Sequence, residues 1–185
     1  GNQAEAVDEG SRPGTGFLPD LCQEWEAATR TAYEAGIRVA VPRIGIVLSP
    51  KGGALASLRS PAMWGLLGPI GSGRQGMSCI GLDDLVYLLH RMIVDESMEG
   101  PYNAVCPEFM TQRVFAKTLG GVLGRPSVMP LPSPLIKAAL GEMGSTLLLQ
   151  GAFVKPRRML DAGFSFSQPT VEESLRLQLG RFDAA

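Results

Sequence analysis

Residues 68–85, GPIGSGRQGMSCIGLDDL, place five glycines around a short apolar run and end on two adjacent aspartates. A glycine loop, an extended piece limited to residues 77–80 and an acidic helix start follow one another without a spacer. That order fits a strand–helix unit of an α/β body and little else. Residues 71–76 also match G-x-G-x-x-G. The match binds pyrophosphate only where a strand leads into the loop and a helix leaves it at once. Here an extended segment follows, and no acidic residue sits at a strand end about twenty residues on. The residues therefore favour a surface loop whose glycines supply left-handed backbone.

The rest of the chain bounds the chemistry. Its 185 residues make one domain, or one domain with a small appendage. At 45% hydrophobic and 19% charged, it can bury a sizeable core. A net charge of −1 gives no electrostatic reason to expect nucleic acid or an anionic membrane. Cys22, Cys79 and Cys106 are odd in number and lack a C-x-x-C spacing, which argues against a disulfide framework or a zinc site. His90 is the single histidine, so no multi-histidine metal centre can form. No apolar run is long enough to span a bilayer, and residues 1–16 are too polar for a signal-peptide core. A cytoplasmic, soluble protein is expected.

Glycine, acid and proline in residues 1–16 predict a flexible lead-in. Leu18, Leu21, Trp25 and Ala28 then recur at helical spacing, with a stop near Gly36. Residues 37–48 read as a buried strand bent at Pro42 and Gly45, and 52–67 as a helix weakened by Pro61 and Gly65. Asp83 or Asp84 opens a helix to Val94, whose apolar face is Leu85, Leu88, Leu89 and Met92. A strand over 102–105 and a helix over 111–123 complete the alternation. Prolines 126, 130, 132 and 134 then mark a boundary. Beyond it come a helix from Ser133 to Gly141 or Gly144, a short apolar piece over 146–150, a basic turn over 155–161, and a last helix opened by a Thr170/Glu173 capping box.

Residue chemistry alone names no reaction. Asp83 and Asp84 point about 100° apart on a helix, which suits dipole compensation better than paired acid–base work. His90 reads as a surface or partly packed side chain, and Cys22 as a small core residue. Lys155, Arg157 and Arg158 could hold a phosphate or simply end a helix. The segment Lys51-Gly52-Gly53 lacks the G-K-[ST] ending of a phosphate loop.

The order of the pieces carries more. FLPDLCQEWEAA (17–28), RIGIVL (43–48), GGAL (52–55), GPIGSG (68–73) and IGLDDL (80–85) are followed by NAVCP (103–107), FAKTL (115–119), LGRP (123–126) and PLP (130–132). LGEM (140–143), LQG (149–151), KPRR (155–158) and GF (163–164) close the series. This resembles the C-terminal part of an NAD(P)-dependent epimerase/dehydratase-like protein. The branch is an atypical extended short-chain dehydrogenase/reductase, often labelled cell-division-inhibitor-like, with an extra C-terminal domain.

The resemblance implies an α/β fold: a partial Rossmann-like parallel sheet with helices over 17–125, plus a small, mostly helical C-terminal domain over 126–185. It also implies that the nucleotide-binding N-terminal half lies outside this sequence. NAD(P) is then the cofactor of the complete protein, and this chain alone is expected to bind none. The family's Tyr-x-x-x-Lys pattern falls on the first helix, where Leu18 and Cys22 stand; neither can act as that acid–base pair. Met77 and Gly81 replace the arginine and histidine of sugar-nucleotide epimerases. By the same likeness Arg43 and Gly45 border the cofactor, and Gly71, Gly73, Gln75 and Asp84 border the cleft of an unidentified small-molecule substrate. The implied partner is the missing N-terminal half or a second copy. The alternative function is a non-catalytic binding or regulatory module.

Overall fold

The computed structural model describes residues 6–131 and 151–181. The expected helix over 133–144 and the apolar piece over 146–150 lie outside them. Helix α1 (Phe17–Ala27) and the short α2 (Arg30–Glu34) stand where one helix was expected. They part at Thr29, whose hydroxyl donates to the Glu26 carbonyl at 2.8 Å instead of continuing the ladder. Gly36, at φ 76°, ends the pair. Neither helix buries a residue, and Trp25 is 69% exposed. Cys22 is exposed too, contrary to the expected core position. Its side of α1 meets only the polar reach of Arg43 from β1 to Glu26 and buries no residue.

Strand β1 (Ala40–Ile44) pairs in parallel with β5 (Gly100–Ala104), with Pro42 opposite Tyr102. The Val39 carbonyl accepts from Gly100 and the Gly45 amide donates to Ala104, so odd-numbered residues face β5. The nitrogen of Pro42 therefore points to the open edge, where a missing N–H breaks no ladder. At Gly45 the chain changes partners: β2 (Ile46–Leu48) pairs in parallel with β4 (Cys79–Gly81). A β-carbon on Gly45 would lie 2.6 Å from the Ser78 carbonyl oxygen and 2.7 Å from Val105 Cγ1, so the switch needs glycine. A third pair, β3 (Gly76–Met77) with β6 (Met110–Thr111), is antiparallel.

Two cores flank these strands, with Ile46, Leu48 and Cys79 in one and Val47 and Ile80 in the other. Helix α3 (Gly53–Met63) and helix α5 (Gln112–Leu123) cover β2 and β4 with Leu55, Phe115 and Leu119. Helix α4 (Leu82–Val94) lays Leu85, Leu88 and Met92 beside Ile80 and Tyr102 in the other. Its N-cap is Gly81, so neither aspartate caps it as the sequence suggested. Helix α6 (Arg157–Asp161) adds Met159 to the α4 core, and α7 (Val171–Gln178) adds Val171 and Leu175 to the other. The described part of 126–185 packs into both cores of the body. The capping box on α7 is present: Thr170 Oγ1 accepts from the Glu173 amide at 3.2 Å, and the Glu173 carboxylate accepts from the Thr170 amide at 3.0 Å.

The lead-in is anchored in part, contrary to the flexible 1–16 segment expected. Val7 donates to Phe153 at 2.8 Å and accepts from Lys155 at 2.7 Å. No helix among the described residues is long and apolar enough to cross a membrane.

Residues 65–71 run against 125–131 so closely that a methyl group at Gly68 would overlap the main chain of Met129. Because backbone cannot swing aside as a side chain can, Gly68→Ala is expected to lower unfolding free energy by about 2–3 kcal/mol. A urea denaturation midpoint shift checks it.

Candidate functional site

The glycine loop is held from inside by two buried amides. Gln112, at the first position of α5, accepts from the Ile70 amide at 2.7 Å through Oε1 and donates to the Gly68 carbonyl at 3.3 Å through Nε2. Gln75 donates through Nε2 to the Ile70 carbonyl at 3.0 Å, and its own carbonyl accepts from the Gln112 amide at 2.9 Å. Arg113 adds a donor to the Ser72 carbonyl at 3.0 Å. Gly71 and Gly73 take φ of 59° and 67°, which lets the chain double back within five residues. At Gly73 a β-carbon would also stand 2.9 Å from Pro69 Cβ.

This geometry tests the fingerprint. A phosphate cradle needs free amides aimed at one point. Here the Gly71 amide donates to Leu131, the Gly73 amide to Ile70 and the Arg74 amide to Ser72 Oγ. Strand β3, not a helix, follows. The loop is a preformed turn whose amides serve the protein itself.

Arg43 forms a second cluster. From β1 it reaches α1 and grips Glu26 with two parallel hydrogen bonds, Nε to Oε1 and Nη2 to Oε2, both 2.7 Å. Nη1 donates to the Glu9 carbonyl at 3.4 Å. The guanidinium holds the Glu26 carboxyl below the usual carboxylate range, and Glu26 raises Arg43 in return. Glu26 lies two turns beyond Leu18 and one beyond Cys22 on α1, so a carboxylate–guanidinium pair stands on the helix where the resemblance puts the family's Tyr-x-x-x-Lys pattern. Glu9 accepts from the Asn103 amide at 2.9 Å and so joins the lead-in to β5.

Asp84 is 1% exposed, and both its oxygens are engaged: the Ser167 amide donates at 2.8 Å and the Gln168 amide at 3.0 Å. It ties α4 to the turn before α7 and does not line an open cleft. Arg158, weighed as a phosphate ligand, donates to the carbonyls of Pro101 at 2.8 Å and Glu99 at 2.7 Å and lies 4.3 Å over the Tyr102 ring. Arg157 pairs with Asp8 and Asp161. His90 is exposed on α4. The buried thiols of Cys79 and Cys106 are pushed up, the latter to about 11, because burial disfavours the thiolate.

The structure thus gathers Gly71, Gly73 and Gln75 in one loop, sets Arg43 and Gly45 on the β1–β2 segment and leaves Asp84 in the interior. Sequence reasoning missed Gln112 and Glu9. Neither sits in a motif; the one available signal for Gln112 was an amide placed directly after a helix-capping threonine.

Residues 131–177 match a domain of unknown function, DUF1731. An epimerase family protein of Mycobacterium bovis is 42% identical over 169 residues, which are 91% of this chain and 56% of that protein. The crystal structure of human epimerase family protein SDR39U1 with NADPH superposes with a TM-score of 0.91 at 36% identity, over 97% of this chain and 61% of that one. The chain belongs to the epimerase-like extended short-chain dehydrogenase/reductases. It spans about half the length of the curated relatives it matches. The epimerase-family fold is Rossmann-like, and a more distant structure shares that fold: Thermus thermophilus UDP-glucose 4-epimerase with NAD gives a TM-score of 0.64 at 18% identity, over 97% of this chain and 60% of that one.

Two predictions follow from these contacts. Arg43→Ala and Glu26→Ala should show a coupling of about 0.5–1 kcal/mol in a double-mutant cycle, since both side chains are about one-third exposed. Because the folded-state value of Glu26 is depressed, that coupling is full above the usual carboxylate range and fades as pH falls through the lower folded value; urea titrations at neutral pH and near pH 3 read it out. Asp84→Ala leaves one buried and one part-buried amide unpaired and should cost about 1–3 kcal/mol, with the fastest gain in hydrogen exchange at Ser167 and Gln168.

Proposed function

We propose that the chain is the substrate-side portion of an NAD(P)-dependent epimerase/dehydratase-like oxidoreductase. The superposition on the NADPH-bound human relative across nearly the whole chain carries this reading. In it, Arg43 and Gly45 border the nicotinamide end of the cofactor, and the turn made by Gly71 and Gly73 borders a small-molecule substrate. Gln75 and Gln112 keep that turn in place; Asp84 supports the cleft from below through residues 167–168. The bound nucleotide would supply hydride transfer. The chain's own part is to orient substrate and fix charge, with Arg43 held in one rotamer by Glu26. The phosphates would be held elsewhere, since the Gly71, Gly73 and Arg74 amides are committed internally. The unpartnered face of α1 and the open edge of β1 are where the remaining length of a full-size relative would pack.

A second reading, a non-catalytic binding or regulatory module, draws on Leu18 and Cys22 standing where the family's phenol and ammonium belong. One experiment divides the two. The chain is fused to the remaining portion of the Mycobacterium bovis relative and titrated with NADPH, following nucleotide fluorescence. Micromolar binding, weakened at least tenfold by Arg43→Ala and untouched by Trp64→Ser, is expected on the first reading (about 1.4 kcal/mol per tenfold). A fusion that melts cooperatively yet binds no NADPH would sink it and leave the module.

A further inference from the structure

The net charge of −1 conceals an uneven distribution. No acid stands between Glu34 and Asp83, nor between Glu108 and Glu142. These two acid-free stretches meet in the fold. Helix α3 packs on α5 in one core, the Arg113 amide donates to the Gly73 carbonyl at 3.0 Å, and residues 65–71 run against 125–131. Their exposed cations, Arg59, Arg74, Arg113, Lys117 and Arg125, therefore surround one region of the surface. None of the five makes an ion pair with a described residue. Arg113 also stands in the first turn of α5, where the helix dipole disfavours a cation and an external anion would relieve it.

The same region carries apolar side chains that the cores do not use. Trp64 and Val128 are 79% and 76% exposed, and Leu66, Met129 and Leu131 are exposed with them. The backbone fixes their company. Leu66 bridges Ser127, the Met129 amide donates to the Leu67 carbonyl at 2.9 Å, and the Leu131 amide donates to the Pro69 carbonyl at 2.9 Å. Gly65, at φ 71°, turns the chain out of α3 against Pro126 and leaves Trp64 outside. The result is an apolar ledge bordered by cations, with no carboxylate from either stretch to repel an anion. Exposed apolar surface of this extent marks an interaction site.

Charge and apolar chemistry together select its cover. A nucleic acid would answer the cations but offers the aliphatic Leu66, Val128, Met129 and Leu131 only flat bases, which stack on aromatic rings. An apolar protein face would leave five cations unanswered. A bilayer containing anionic lipid answers both: headgroups meet Arg and Lys, aliphatic side chains enter the acyl boundary, and Trp suits the level between them. The remaining length of a full-size relative has its place at the open edge of β1 and the exposed face of α1, and the ledge belongs to neither.

We infer that the ledge of residues 64–66 and 125–131 seats the chain on an anionic lipid surface, with Trp64 and Val128 entering the interface and the surrounding Arg and Lys residues meeting phosphate headgroups. This does not rest on the cofactor reading.

The test uses the full 185-residue chain with vesicles of phosphatidylcholine alone or with about one-third phosphatidylglycerol. Co-sedimentation should recover the chain with the anionic vesicles and not with the neutral ones, and binding should fall as salt rises. In a Trp25→Phe background Trp64 is the single indole, and its emission should move to the blue on binding. Lys117→Glu with Arg125→Glu should weaken vesicle binding at least tenfold, and so should Trp64→Ser with Val128→Ser, while Ile93→Ser on another exposed apolar site leaves it unchanged. Melting curves confirm that the surface variants remain folded. The fusion to the remaining portion of the Mycobacterium bovis relative repeats the measurement. Binding by a cooperatively melting fusion supports the inference; loss of binding gives the ledge to that portion and overturns it. Equal recovery with both vesicle types, recovery with neither, an unshifted Trp64 emission, or unchanged binding by either double variant also overturns it. So does duplex DNA bound in place of vesicles, in favour of a nucleic acid, or a dimer in sedimentation that Lys117→Glu with Arg125→Glu dissolves, in favour of a second copy.

Discussion

The architecture turns on one backbone approach. At Gly45 the main chain passes within van der Waals reach of the Ser78 carbonyl and the Val105 side chain, and this contact lets a single segment serve two sheets. Upstream of it, β1 joins β5; downstream, β2 joins β4. Alternating side chains of β2 and β4 feed both cores, Ile46, Leu48 and Cys79 one and Val47 and Ile80 the other. Any side chain at position 45 would push the two pairings apart and disturb both.

Short strands give few ladder hydrogen bonds, and buried or half-buried polar side chains add ties of their own. Gln112 secures the glycine loop, Asp84 secures the turn before α7, and Glu9 secures the lead-in to β5. Each joins segments far apart in sequence through main-chain groups, so each is satisfied without a matching side chain. The family likeness rests on the same frame, because these ties fix where the β1–β2 segment and the glycine loop sit.

Much of this was legible beforehand. Alternation placed every long helix of the body, the bend at Gly45 and the Thr170 box, because those depend on local periodicity and backbone freedom. The ordered motifs pointed to the epimerase-like family, and the comparisons agree. What failed were inferences about environment. Trp25 and Cys22 have the spacing of a core face yet lie exposed, since periodicity says which residues share a face and not what covers it. Asp84 read as a helix-end charge but is a buried tie, because its partners are amides eighty residues away that carry no side-chain signature. Beyond the proline run, Met159, Val171 and Leu175 pack into the two cores of the body.

The three thiols hold very different positions. Cys79 and Cys106 sit in the interior, where burial keeps them protonated, and Cys22 stands on the open face of α1. An oxidant reaching the folded molecule meets a single exposed thiol among the described residues. Thiol oxidation is therefore recorded on α1, one turn from the Glu26–Arg43 pair, and not in either core.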